Sequence, residues 1–147
     1  GRTGSRSPMQ WNTSTNAGFS SAPSEKLYIK IDEHPNRPTV EAQITDEASL
    51  LNEVKRLISL RQSNEALQNC GEIEFVHVGY PLVYKRICEK QIITVILNPS
   101  AEEFTVDNIN GTILYKVGNG ADLMNNKCHV KGCTAVLIEN PLPKSDK

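Results

Sequence analysis

The sequence predicts an α+β chain: an irregular opening and one amphipathic helix, followed by an all-β antiparallel sandwich. Three observations carry this. Residues 1 to about 45 have no repeating apolar pattern and hold Pro8, Pro23, Pro35 and Pro38, four of the eight prolines. Residues 46–62 place Leu50, Leu51, Val54, Leu57 and Ile58 at i, i+3, i+4, i+7 spacing, a single apolar stripe. From Gly71 onward, short apolar or alternating runs recur roughly every ten residues between turn residues.

Taken in order, the opening "GRTGSRSPMQWNTSTNAGFSSA" is rich in Gly, Ser, Thr and Asn, the residues of turns. It carries Arg2, Arg6 and the one tryptophan, Trp11. "LYIKI" at 27–31 alternates like an edge strand, and "DEHPNRP" reads as a rigid surface turn. The helix that follows is expected to start at Thr45 or Asp46 as its cap, with Asp46 and Glu47 at the positive end of its dipole. Lys55, Arg56 and Arg61 load its later turns as a solvated face.

"EIEFVHV", "LVYKRIC", "QIITVILN", "EEFTVD", "TILYKV" and "TAVLIE" are the expected strands. "VGYP", "NPSAE", "NING", "GNGAD" and "VKGC" are the turns between them. Composition sets the domains at 1–69, 70–141 and a tail at 142–147. Tyr28, Tyr80, Tyr84 and Tyr115 are assigned to core or cross-strand packing in preference to a sugar-stacking platform, and Trp11 to a buried anchor.

The totals exclude several functions. Sixteen basic and 17 acidic side chains leave a net charge of −1, without the clustered positive field that nucleic acid or an anionic membrane requires. No apolar run of about 18 residues spans a membrane, and no leader pattern opens the sequence. A cytoplasmic setting is the expectation. Cys70, Cys88, Cys128 and Cys133 form no CxxC pair, and His34, His77 and His129 add no zinc spacing. Cys128 and His129 are neighbours, so on a strand they face opposite ways. Ordinary thiols, no metal and no cofactor are expected.

"RSPMQWN", "NAGFS", "RPTVEAQ" and "SLLNEVKRLISLR" occur in that order and cover about the first 67 residues. Together they resemble the α-amylase superfamily, glycoside hydrolase family 13, in the branch of oligo-1,6-glucosidases, α-glucosidases and trehalose synthases. The resemblance implies that the opening is the long loop after the last strand of a (β/α)8 barrel, and that the amphipathic helix is the barrel's last helix. The sandwich then corresponds to the family's C-terminal domain. A barrel takes about 250 residues, so the chain is expected to be the end of a larger enzyme acting on α-glucosides.

By motif position, Arg6 and Arg2 are the implied substrate-binding arginines, and Gln10 and Trp11 the loop-shaping residues. A guanidinium offers a fixed fork of donors suited to vicinal hydroxyls or a neighbouring carboxylate. Retaining enzymes need two carboxylates about 5 Å apart. The resemblance puts these on earlier strands, so no residue here is assigned a catalytic role and the chain alone is expected to be inactive. Its implied partners are the barrel and an α-glucan or oligosaccharide, with self-association through the bare helix stripe. Asn12, Ser7 and Glu47 stand where the family often has Asp, Thr and Pro. The alternative function is a non-catalytic carbohydrate-binding or structural β-sandwich module.

Overall fold

The computed structural model describes residues 5–143. Arg2 and the end of the expected tail lie outside the described residues. The chain divides between Ser59 and Leu60 into two compact units.

The first unit carries a tight left-handed turn at Thr15–Gly18 and a single helical turn at Ser24–Lys26, then α1 (Val40–Thr45) and the start of α2 (Leu50–Ser63). The segment 27–31 is not a strand. Its alternation is real, but among the described residues no strand pairs with it to complete a ladder, and a lone strand is not stable. α1 was not expected from periodicity, being too short to show a stripe. It forms because Thr39 Oγ1 caps the Ala42 N–H at 3.2 Å.

α2 begins later than the sequence suggests. Its cap is Ser49, whose Oγ accepts from the Asn52 N–H at 3.3 Å, and not Thr45 or Asp46. Asp46 is occupied in the connection, where its Oδ1 accepts from the Ala48 N–H at 2.9 Å. The Asn52 amide reaches back to the carbonyls of Gln43 (2.9 Å) and Asp46 (2.8 Å), so the open carbonyls at the end of α1 are satisfied by a side chain of α2. No residue of α2 is buried. Leu50, Val54, Leu57 and Ile58 are 74, 44, 39 and 52% exposed. On the polar face, Arg56 pairs with Glu53 and donates to the Glu47 carbonyl at 2.9 Å.

The second unit contains, among the described residues, eight strands: β1 (Glu72–His77), β2 (Leu82–Cys88), β3 (Gln91–Asn98), β4 (Phe104–Asp107), β5 (Thr112–Gly118), β6 (Ala121–Met124), β7 (Lys127–Val130) and β8 (Thr134–Asn140). They form two antiparallel sheets, ordered β1-β2-β3-β8-β5 and β4-β7-β6. The six strands expected from the sequence are present. The β6–β7 hairpin is an addition to them, its strands being only four residues long. Asn125 and Asn126 make its turn, both with positive φ (51° and 59°), the conformation that two-residue hairpin turns demand.

Parity explains the core. Val83, Ile96, Val136 and Ile138 face the smaller sheet and pack with Ile109, Ala121, Cys128 and Val130. On the opposite face Ile93, Val95 and Leu137 pack with Ala66, flanked by Leu60 and Leu67. The central strands β3 and β8 are thus covered on both faces, which is why they read as nearly continuous apolar runs. At the edge, β1 keeps Ile73 and Phe75 exposed, and a bulge between Phe75 and His77 shifts its register on β2.

Polar groups hold the loops. Asn98 is 1% exposed; its amide donates to the carbonyls of Glu102 (2.7 Å) and Lys131 (3.0 Å), and its Oδ1 accepts from Ser100 Oγ (2.8 Å). Both ends of its amide are thus paired, as burial requires. Tyr84 and Tyr115 pack against the second cluster, while Tyr28 and Tyr80 are 77 and 64% exposed and are not core residues.

Candidate functional site

The opening loop is built around one turn in a rare conformation. Asn16, Ala17 and Gly18 all take positive φ (53°, 55° and 71°). Gly and Asn tolerate this region; for Ala it costs roughly 1 kcal/mol. The surroundings hold it in place. Asn16 is buried, donates to the carbonyls of Ser20 (2.9 Å) and Ala22 (2.6 Å), and accepts from Ser24 Oγ (2.8 Å). The Ala17 carbonyl accepts from the N–H groups of Trp11 (2.8 Å) and Asn12 (3.2 Å). Gly18 suits its place in two ways: it takes positive φ without strain, and a Cβ there would lie 2.8 Å from Asn12 Oδ1 and force that side chain to shift. Asn16 was not singled out from the sequence, although Asn before Ala-Gly in a turn-rich stretch is the signal for such a position.

Of the four candidate residues, Gln10 and Trp11 lie at the start of α1. Their carbonyls accept from Val40 and Glu41, each at 2.9 Å, and so satisfy two of the donors a helix start leaves open. Gln10 Nε2 also donates to the Pro38 carbonyl at 3.2 Å, and its buried Oε1 has no partner. The Trp11 ring is 48% exposed and is therefore not a buried anchor in this chain; the backbone of Trp11, not its ring, makes the contacts above. Arg6 is exposed, and Arg2 lies outside the described residues. Asn12 Oδ1 accepts from the Ser14 N–H (3.0 Å) and Ser14 Oγ (2.5 Å), a role an aspartate in its place would also fill.

Each unit carries a cavity. One of about 410 Å³ lies behind the opening loop, lined by the charged Lys30, Asp32, Glu33 and Arg37 together with Asn16, Leu27 and Ile31 among others. Arg37 Nε is buried there without a hydrogen-bond partner. The other, of about 650 Å³, is an apolar groove on the second unit, lined by Val78, Tyr80, Leu82, Leu97 and Val117 among others.

The thiols do not converge. Cys128 is fully buried, and Cys70 and Cys133 are exposed. His129 points outward and its Nδ1 lies 2.9 Å from Thr105 Oγ1. Burial, and secondarily the Asp122 carboxylate, push the Cys128 thiol up to about 11. Among the described residues no three His, Cys, Asp or Glu side chains gather to hold a metal ion.

Comparison with known proteins fits this geometry. Residues 1–70 match the alpha amylase catalytic domain. The probable oligo-1,6-glucosidase 3 of Bacillus subtilis (strain 168) is 42% identical over 76 residues, covering 52% of this chain and 13% of that protein. The trehalose-6-phosphate hydrolase of Escherichia coli (strain K12) is 32% identical over 103 residues, covering 69% and 18%. The probable alpha-glucosidase of Rhizobium meliloti (strain 1021) is 35% identical over 106 residues, covering 71% and 18%. The chain thus spans less than a fifth of the length of these relatives. The trehalulose synthase MutB from Pseudomonas mesoacidophila MX-45 shares the fold, with a TM-score of 0.80 at 20% identity over 94% of this chain and 26% of that one. The ordered loop and helix motifs, the family match over the same residues and the shared fold lead to one assignment: the chain belongs to the alpha-amylase family, glycoside hydrolase family 13.

Proposed function

We propose that this chain is the terminal portion of an enzyme that acts on α-glucosides by a retaining mechanism, as a hydrolase or a transglycosidase. In this reading α2 is the last helix of a (β/α)8 barrel, and the two catalytic carboxylates belong to the rest of that barrel. Arg6 and Arg2 meet the substrate from the loop, Gln10 and Trp11 hold that loop on α1, and the sheet unit braces the barrel. The observation that carries the reading is the bare apolar stripe of α2: a helix with Leu50, Val54, Leu57 and Ile58 open to solvent is built to lie on something. Neither the loop nor the sheets supply a pair of acids in a matching motif, so the chain by itself does no chemistry.

The test is an assay on a nitrophenyl α-glucoside. The 147-residue chain gives no turnover; joined to the preceding barrel of a family relative, it does, and Arg6→Ala then lowers kcat/KM by roughly tenfold or more, the loss of one charged hydrogen bond to substrate. Turnover by the chain alone overturns the proposal. Calorimetry with maltoheptaose separates the alternative: heat of binding by the isolated chain favours a carbohydrate-binding module, and a flat trace removes it.

A further inference from the structure

Two Asn-Gly pairs lie in the second unit, and the fold treats them in opposite ways. Asn110-Gly111 sits in the exposed turn between β4 and β5, and Asn119-Gly120 in the turn between β5 and β6. At Asn119 both reacting groups are occupied. Its amide donates to the Gly132 carbonyl at 2.8 Å, and the Gly120 N–H donates to Thr134 Oγ1 at 3.1 Å, where Thr134 is itself 2% exposed. At Asn110 neither is. The Asn110 carboxamide makes no hydrogen bond among the described residues. The Gly111 N–H stands outside the β5–β8 ladder, which begins at Thr112, and takes no part in the turn hydrogen bonds. Gly111 has no Cβ to hinder approach of its nitrogen to the neighbouring carboxamide.

From this contrast we propose that Asn110 is a site of spontaneous deamidation and that Asn119 is protected from it. The Gly111 backbone nitrogen attacks the Asn110 carboxamide carbon, Cγ. A new bond between that nitrogen and Cγ closes a five-membered succinimide, the bond from Cγ to Nδ2 breaks, and Nδ2 leaves as ammonia with the Gly111 amide proton. Water then opens the ring at either carbonyl, giving aspartate or isoaspartate. No electron changes hands, and water is the one co-reactant. The product carries a new carboxylate, and the isoaspartate form adds a methylene to the backbone. That extension falls where Gly111 packs on β8: a Cβ there would lie 1.9 Å from the Glu139 carbonyl oxygen, and the Asn110 carbonyl accepts from Asn140 Nδ2 at 2.6 Å. The modification therefore loosens the start of β5 on β8.

Peptide mapping by mass spectrometry, after ageing the folded protein at mildly alkaline pH and 37 °C, tests this. The Asn110 peptide gains the mass of an NH2-to-OH exchange, with isoaspartate confirmed by methyltransferase labelling. It does so roughly tenfold faster than the Asn119 peptide, since one or two net hydrogen bonds must open before attack at Asn119. In urea the two rates converge, which keeps the comparison independent of any variant. Thr134→Val, if folded, frees the Gly120 N–H and speeds Asn119 alone. Equal rates in the folded protein, or faster loss at Asn119, overturn the proposal.

Discussion

Arg86 on β2 donates its Nε–H to the carbonyl of Ala66 at 3.0 Å, and Nη2 of the same residue reaches the Gln68 carbonyl at 2.6 Å. These bonds fasten the single helical turn at Glu65–Leu67 to the outer face of the large sheet, where Ala66 is fully buried on Ile93 and Val95. Arg86→Ala leaves two carbonyls short of partners. It should destabilise the sheet unit by about 2 kcal/mol, read from the urea midpoint, and Arg86→Lys should recover only part because it cannot present the same fork.

Gly118 and Gly120 make a matched pair for the cost of a side chain. Both have positive φ, 98° and 122°. A Cβ on Gly118 would sit 1.9 Å from the Cys133 carbonyl oxygen, whereas one on Gly120 meets nothing nearer than Lys131 Cδ at 4.0 Å. Gly120→Ala should cost about 1–2 kcal/mol of backbone strain. Gly118→Ala adds a backbone clash and should cost at least about 3 kcal/mol or prevent folding. Thermal melts of the two variants decide the order.

Cys128 gives the sheet unit an alkaline limit. Burial and Asp122 raise its thiol from 9.0 to about 11. As pH rises the unfolded state loses this proton first, so the stability from Cys128 is whole below about pH 9 and disappears toward pH 11. The full loss is about 3 kcal/mol, two pKa units at about 1.4 kcal/mol each. Denaturant titrations at pH 8 and 10.5 should show it in the parent protein and not in Cys128→Ala. Alkylation of the folded protein should mark the exposed Cys70 and Cys133 first.

The stripe on α2 should make the isolated chain associate, because solvent-exposed apolar patches of this kind drive contacts. Val54 and Ile58 are 44 and 52% exposed. Light scattering should detect dimers or larger species, and Val54→Glu with Ile58→Glu should return the protein to a monomer without lowering its melting temperature. A clean monomer before substitution sinks the expectation.

The long-range plan was legible where a pattern repeats often enough to be seen. β3 and β8 announced themselves as apolar runs, and α2 by its stripe. α1 and the β6–β7 hairpin were not, because six helical residues or two strands of four residues complete barely one period. The segment 27–31 alternates without being a strand, since pairing is a property of neighbours and not of the segment. At the loop, the motifs placed Gln10 and Trp11 but gave no hint that their carbonyls, and not their side chains alone, start α1. Asn16 was missed because its signal lies in turn chemistry, Asn before Ala-Gly, and not in the spacing of apolar residues.

The sheet unit does not start where its composition does. Leu60, Ala66 and Leu67 roof the face of the large sheet that Ile93 and Val95 present. A clone trimmed to begin at Gly71 would strip that roof and leave Arg86 with nothing to grip. Anyone seeking the β portion as a free-standing, crystallisable piece must cut upstream of Leu60, and so must keep the final turn of a helix whose other residues lie in the first unit.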